Sequence, residues 1–140
     1  MEIMTKAIEK RLELNAPLER VWSAISDAAE ISRWFSDRCD LDLRPGGRGH
    51  FDWDDHGVYS VRVDEVDPPR RLVWSWNHEP GTEVEEGSST SVEWMLSPRE
   101  GGGTILELRE TGFETEDRRK QNDDGWDEEL AELVTMLEAS

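Results

Sequence analysis

The sequence predicts an α+β fold: a curved antiparallel sheet of about seven strands around one long C-terminal helix, with two short helices after strand 1. Three observations predict it. Runs that alternate apolar and polar residues recur from residue 39 to residue 113. Before them, over residues 15–35, the period switches once to that of a helix. It switches again at the end, where Trp126, Leu130, Leu133, Val134 and Leu137 fall on one helical stripe with acidic residues opposite.

The elements follow in order. In TKAIEKRLEL, Ile8, Leu12 and Leu14 share one parity and Glu9, Arg11 and Glu13 the other, as in a half-buried strand. In NAPLERVWSAISD, Leu18, Val21, Trp22 and Ile25 form one helical face. Pro17 suits the first turn of that helix, where its missing N–H would have no partner anyway. Asp27 is a cap for a second short helix, and Glu30, three residues on, completes a capping box. That helix, AAEISRWF, carries Ile31, Trp34 and Phe35.

Strands come next. CDLDL alternates, and Pro45-Gly46-Gly47 is a turn in which glycine supplies positive φ. GHFDW sets Phe51 and Trp53 on one face, and DDHG turns the chain. VYSVRVDEV follows, with Tyr59 in the inward phase of Val61 and Val63, and DPPR ends it. LVWSWN aligns Leu72, Trp74 and Trp76. The polar run HEPGTEVEEGSS, residues 78–89, reads as a loop in which His78 is solvated. TSVEWML aligns Val92, Trp94 and Leu96; SPREGGG is a hairpin loop; TILELRETGF aligns Leu106 and Leu108. The charged run ETEDRRKQNDD, residues 114–124, leaves the start of the last helix undefined, so Trp126 marks its beginning.

All 140 residues fit one domain, with no linker, second core or internal repeat. No run of about 18 apolar residues could span a bilayer. The segment MEIMTKAIEKRLEL carries charges throughout and lacks an apolar h-region. Cys39 is the only cysteine, which excludes an intrachain disulfide and a multi-thiolate zinc site. Together these predict a cytoplasmic protein. Sixteen basic against 33 acidic residues give a net charge of -17. Such a surface repels nucleic acid and anionic membranes and favours solubility, so neither is expected as a partner.

The stretch RPGGRGHFDWDDHG raises two chemistries and satisfies neither. Its glycine pair neither follows a buried parallel strand nor opens a helix, so it is no phosphate loop. Alternation sends His50 and Asp52 to the solvent face, and Asp55 and His56 to a turn tip; three or four converging metal ligands are not assembled. No Ser-His-Asp or Cys-His arrangement is discernible, and Cys39 has no base partner. Glu110 has the inward phase of Leu106 and Leu108 and reads as a hydrogen-bonded structural carboxylate. No catalytic residue, metal or cofactor is therefore assigned.

Seven tryptophans are the remaining signal. If the long helix crosses the concave sheet face, most of them point into one interior. Bulky rings on a curved sheet leave space, and apolar cavities are where small ligands bind. The ligand-binding set expected is Trp34, Phe35, Phe51, Trp53, Tyr59, Trp74, Trp76, Trp94, Leu108, Trp126 and Leu130. Trp53, Trp76 and Trp94 are expected on one side of the space, Trp34 and Trp126 opposite, with no acid–base pair at its centre.

APLERVWSAISDAAEISRWF, RPGGRGHFDW, VDEVDPPRRLVWSW, GGTILELRETGF and GWDEELAEL occur in this order. Over roughly residues 8 to 137 the chain resembles the START-like (SRPBCC) superfamily with the helix-grip fold. Within it, the chain is similar to the bacterial single-domain form of the family named for the activator of the heat-shock-protein-90 (Hsp90) ATPase. The resemblance implies seven antiparallel strands gripping a C-terminal helix, with a cavity between. It implies several functions: binding of a small apolar or aromatic molecule, co-chaperone-like regulation of a chaperone ATPase through a protein partner, or cyclase or hydrolase chemistry in the cavity. The first is the reading the residues favour; monomer and homodimer both stay open.

Overall fold

The computed structural model describes residues 6–86 and 89–139. Strand β1 (Ile8–Leu14) is followed by helices α1 (Leu18–Ser26) and α2 (Ala28–Trp34). Six strands succeed them: β2 (Arg38–Leu41), β3 (Arg48–Trp53), β4 (Gly57–Asp67), β5 (Arg71–Asn77), β6 (Ser89–Pro98) and β7 (Thr104–Thr111). Helix α3 (Glu116–Glu138) ends the described chain. The strands form one antiparallel sheet in the order β1-β7-β6-β5-β4-β3-β2. Consecutive strands from β2 to β7 are neighbours in the sheet; β1 alone reaches its partner from far away in sequence.

Alternation explains the sheet's two faces. Inward residues Leu72, Trp74 and Trp76 of β5, Val92, Trp94 and Leu96 of β6, and Leu106 and Leu108 of β7 are all buried. They meet Trp126, Leu130, Leu133 and Leu137, the buried stripe of α3. Helix α1 packs on β6 and α3, and α2 on β2 and α3, so all three helices share one layer. The sheet curves at β4, whose register with β5 shifts between Val63 and Glu65. The glycine pair seats itself there: Gly46 N–H donates to the Val63 carbonyl and Val63 N–H donates to the Gly47 carbonyl, each at 2.8 Å. Gly46 has φ of 83°. A Cβ at Gly47 would lie 2.0 Å from the Asp42 carbonyl oxygen, so close backbone approach demands glycine at that position.

Helix ends differ from the expectation in three places. Pro17 is the N-cap of α1, outside the first turn, and its carbonyl accepts from Arg20 and Val21. Asp27 caps α2 by accepting from Ala29 N–H, but Glu30 does not close a box. The Asp27 N–H is already taken by the Ser23 carbonyl of α1, and Glu30 pairs with Arg20 and Arg33 instead. Helix α3 begins at Glu116, well before Trp126. Thr115 caps it by accepting from Arg118 N–H. Arg119 then pairs with Glu116 and Asp123, and Lys120 with Asp124. The charged run is thus a solvent-facing helical start supported by i,i+3 and i,i+4 pairs. Lys10 of β1 reaches across to Asp123 and Asp127, tying this start to the sheet edge.

Candidate functional site

A cleft of about 350 Å³ opens between α3 and the part of the sheet formed by β3, β4 and β5. Phe35, Trp53, Tyr59, Trp76 and Trp126 supply its apolar walls. Phe35 follows α2, where the chain turns toward β2, and packs on two indoles, Trp76 and Trp126, that also stack on each other at 5.8 Å and 29°. Its ring stacks on Trp126 at 5.4 Å and 11°, and on Trp76 at 5.8 Å and 22°. Trp53 meets Phe35 edge-on at 5.0 Å, and its Nε1 donates to the Phe35 carbonyl at 2.8 Å. These mutually packed rings, with Trp53 edge-on, form one flat wall of an open slot, a surface that planar apolar groups complement.

The six other expected residues stand behind that wall. Trp34, Phe51, Trp74, Trp94, Leu108 and Leu130 are buried in the packed core. Trp94 meets Trp34 at 6.2 Å and 88°, Trp126 at 5.5 Å and 86°, and Trp74 at 5.7 Å and 58°. Edge-to-face contacts let large rings interdigitate, so the space expected among Trp34, Trp94 and Trp126 is filled and the cleft lies to one side.

Polar groups converge where the sequence reading left none. His56, Asn77, His78, Arg118, Asn122 and Glu129 also line the cleft. His78 is buried, not a solvated loop residue. It follows Trp76 by two and so continues the inward parity of β5, a signal hidden by the polar sequence after it. Glu129 lies three residues after Trp126, on the adjoining helical face. His78 Nε2 stands 3.9 Å from Glu110 Oε2, but Glu110 itself does not line the cleft.

Glu110 is fully buried on β7. Trp126 Nε1 donates to its Oε1 at 2.7 Å; Trp76 Nε1 at 2.8 Å and Thr90 Oγ1 at 2.5 Å donate to its Oε2. Asn122 Nδ2 approaches both oxygens from α3, at 3.3 and 3.2 Å. Burial pushes this carboxyl upward, but His78, Thr90, Trp126 and Trp76 together hold it below the usual range. Glu129 behaves oppositely. Burial, then Glu128, Glu132 and Asp37, push it up to about 7. Cys39 on β2 is pushed up to about 12 by burial and by Asp40 and Asp27. Among the described residues no three His, Cys, Asp or Glu side chains group as metal ligands. No helix among them is long and apolar enough to cross a membrane.

The family model described as Activator of Hsp90 ATPase homolog 1-like protein matches residues 15–138, nearly the whole chain. The chain belongs to this family. Solved structures place this family member in the helix-grip fold of the START-like superfamily. CalU16 from Micromonospora echinospora is 34% identical at a TM-score of 0.75, over 94% of this chain and 75% of its own. Protein MLL2253 from Mesorhizobium loti is 22% identical at a TM-score of 0.85, over 96% and 98%. DynU16, from the dynemicin biosynthetic locus, is 22% identical at a TM-score of 0.83; the match covers 96% of this chain but only 48% of DynU16. At 22% identity these last two share the fold alone. No curated protein matches the sequence. The fold is compatible with a ligand cavity and does not name an activity.

Proposed function

We propose that this family member binds a small planar aromatic or apolar molecule in the cleft between the sheet and α3. The observation that carries this reading is the slot itself: about 350 Å³, walled by Phe35, Trp53, Tyr59, Trp76 and Trp126. That volume is within the range of small-molecule sites, roughly 300–1,000 Å³. Burial of a flat ring against Trp76 and Phe35 supplies affinity, and the polar groups around the slot supply orientation. DynU16's place in a biosynthetic locus fits a fold that handles small molecules. The rival reading, regulation of a chaperone ATPase, rests on the family's name. Cyclase or hydrolase chemistry would need the cleft's polar groups to act on a bound substrate.

A panel of planar aromatic compounds tests the proposal. Binders should quench or shift tryptophan emission and raise the melting temperature, because a ligand that binds only the native state stabilises it. A broad panel that leaves both unchanged removes the proposal and puts the protein-partner reading first.

A further inference from the structure

His78 has half of its hydrogen-bonding capacity unspent. Its side chain is 6% exposed, and its ring stacks on Phe113 at 6.0 Å. Nε2 lies 2.7 Å from Thr90 Oγ1. Nδ1 is buried and has no hydrogen-bond partner among the described residues. Buried polar atoms are nearly always paired, so one that is not asks for an explanation.

Proton accounting identifies what Nδ1 offers. Thr90 Oγ1 has one hydrogen and three neighbours: Trp76 Nε1 at 3.0 Å, Glu110 Oε2 at 2.5 Å and His78 Nε2 at 2.7 Å. An indole N–H can only donate, and an ionised carboxylate can only accept. The Thr90 hydrogen therefore goes to Glu110. Thr90 must then accept from His78, while the one indole hydrogen of Trp76 is shared between Thr90 and Glu110. His78 therefore donates from Nε2, and in the neutral form of the ring that leaves a bare lone pair at Nδ1. Glu110 is meanwhile occupied by Trp76, Trp126, Thr90 and Asn122.

His78 belongs to the lining of the cleft, together with Trp76, Asn122 and Arg118. His78 and Arg118 also line a neighbouring space of about 160 Å³, and so lie between the two. The Arg118 guanidinium has no hydrogen bond or ion pair among the described residues. A shift of Arg118 within this lining breaks no polar contact.

We propose that His78 Nδ1 is the specificity-determining acceptor of the cleft, taking a hydrogen bond from a hydroxyl or N–H on an aromatic ligand that lies against Trp76 and Phe35. Thr90 and Glu110 are its positioning residues. They fix the tautomer without touching the ligand. The inference rests on the ligand-binding reading of the cleft and sharpens it. An ether in the same place sets oxygen lone pair against nitrogen lone pair, and a carboxylate does so with added charge; both are disfavoured.

Two probes separate this inference from the reading beneath it. By calorimetry on the full chain, 2-naphthol should bind about ten-fold more tightly than 2-methoxynaphthalene, the effect of one buried hydrogen bond. His78→Phe should collapse that preference and leave 2-methoxynaphthalene binding intact. Long-range proton–nitrogen NMR should show the neutral His78 ring protonated at Nε2, and Thr90→Val should mix the tautomers and weaken the preference. Equal affinities in the unmodified chain, or a preference that survives His78→Phe, would overturn the inference while the cleft remains a ligand site. A ring that carries a proton on Nδ1 at neutral pH, alone or together with Nε2, also overturns it. Binding of neither probe removes both the inference and the reading beneath it. The affinity ratio and the tautomer need only the unmodified chain, so a His78 variant that fails to fold does not spare the proposal.

Discussion

Trp126 Nε1 on α3 donates a 2.7 Å hydrogen bond to Glu110 Oε1 on β7. The contact joins the helix to the sheet at the depth where Trp76 and Thr90 meet the same carboxylate. Charge-assisted bonds of this kind outweigh neutral ones, and removing the shared acceptor leaves several buried donors unpaired. Glu110→Ala should therefore cost on the order of 3 kcal/mol or more in urea unfolding. Trp126→Ala, which empties a site 2% exposed, should cost about 3–5 kcal/mol. Losses below about 1 kcal/mol in both would mean that α3 does not sit on the sheet in this way.

Two carboxylates set opposite slopes of stability against pH. Glu110 is held below its ordinary 4.5, so its stabilisation is present above that value and is lost as pH falls through the folded value. Glu129 is raised from 4.5 to about 7. Between those limits the folded chain binds more protons there than the unfolded chain, so stability falls as pH rises through the window. Melting temperatures measured from pH 4.5 to 8 should decline less steeply in Glu129→Gln. An unchanged slope would mean that Glu129 titrates alike in both states.

The Cys39 thiol, pushed up to about 12, should be inert at neutral pH despite lying on an outer part of the sheet. The thiolate is the reactive form, and burial with Asp40 and Asp27 nearby suppresses it. Iodoacetamide should label the native chain slowly and the urea-unfolded chain fast. Rapid stoichiometric labelling of native protein would contradict the placement of Cys39.

The sheet and its helix were legible because period-2 and period-3.6 patterns are written in single residues. Leu72, Trp74 and Trp76 declare one face of β5, and Trp126 to Leu137 one stripe of α3. The helix start was not legible. Its first turns bury little, and their support comes from Glu116, Arg119 and Asp123 meeting only after the helix exists. The cleft was half legible. Parity sends aromatic rings inward, but whether rings leave a void depends on how they interlock, and Trp34, Trp74 and Trp94 interlock fully. His78 escaped because its own sequence neighbours are polar, while the groups that bury it, Thr90, Glu110 and Phe113, come from elsewhere in the chain.

Wall and core tryptophans should separate in experiment. Trp94 is fully buried among Trp34, Trp74 and Trp126, with no share in the cleft. Trp53 is half-buried, lines the cleft and holds Phe35 through its Nε1. Trp94→Ala should lose about 3–5 kcal/mol of stability, since a large cavity opens in a packed core. Trp53→Ala should lose less, because its ring already meets solvent on one side. Ligand affinity should order the other way. Removing Trp53 takes away a wall of the slot and a hydrogen bond that positions Phe35, so binding of 2-methoxynaphthalene should weaken by about ten-fold or more, as one lost aromatic contact of about 1.5 kcal/mol implies. Isothermal calorimetry and urea unfolding on the two variants read both quantities. If Trp53→Ala binds the probe as the unmodified chain does, the slot beside Phe35 is not where the ring lies.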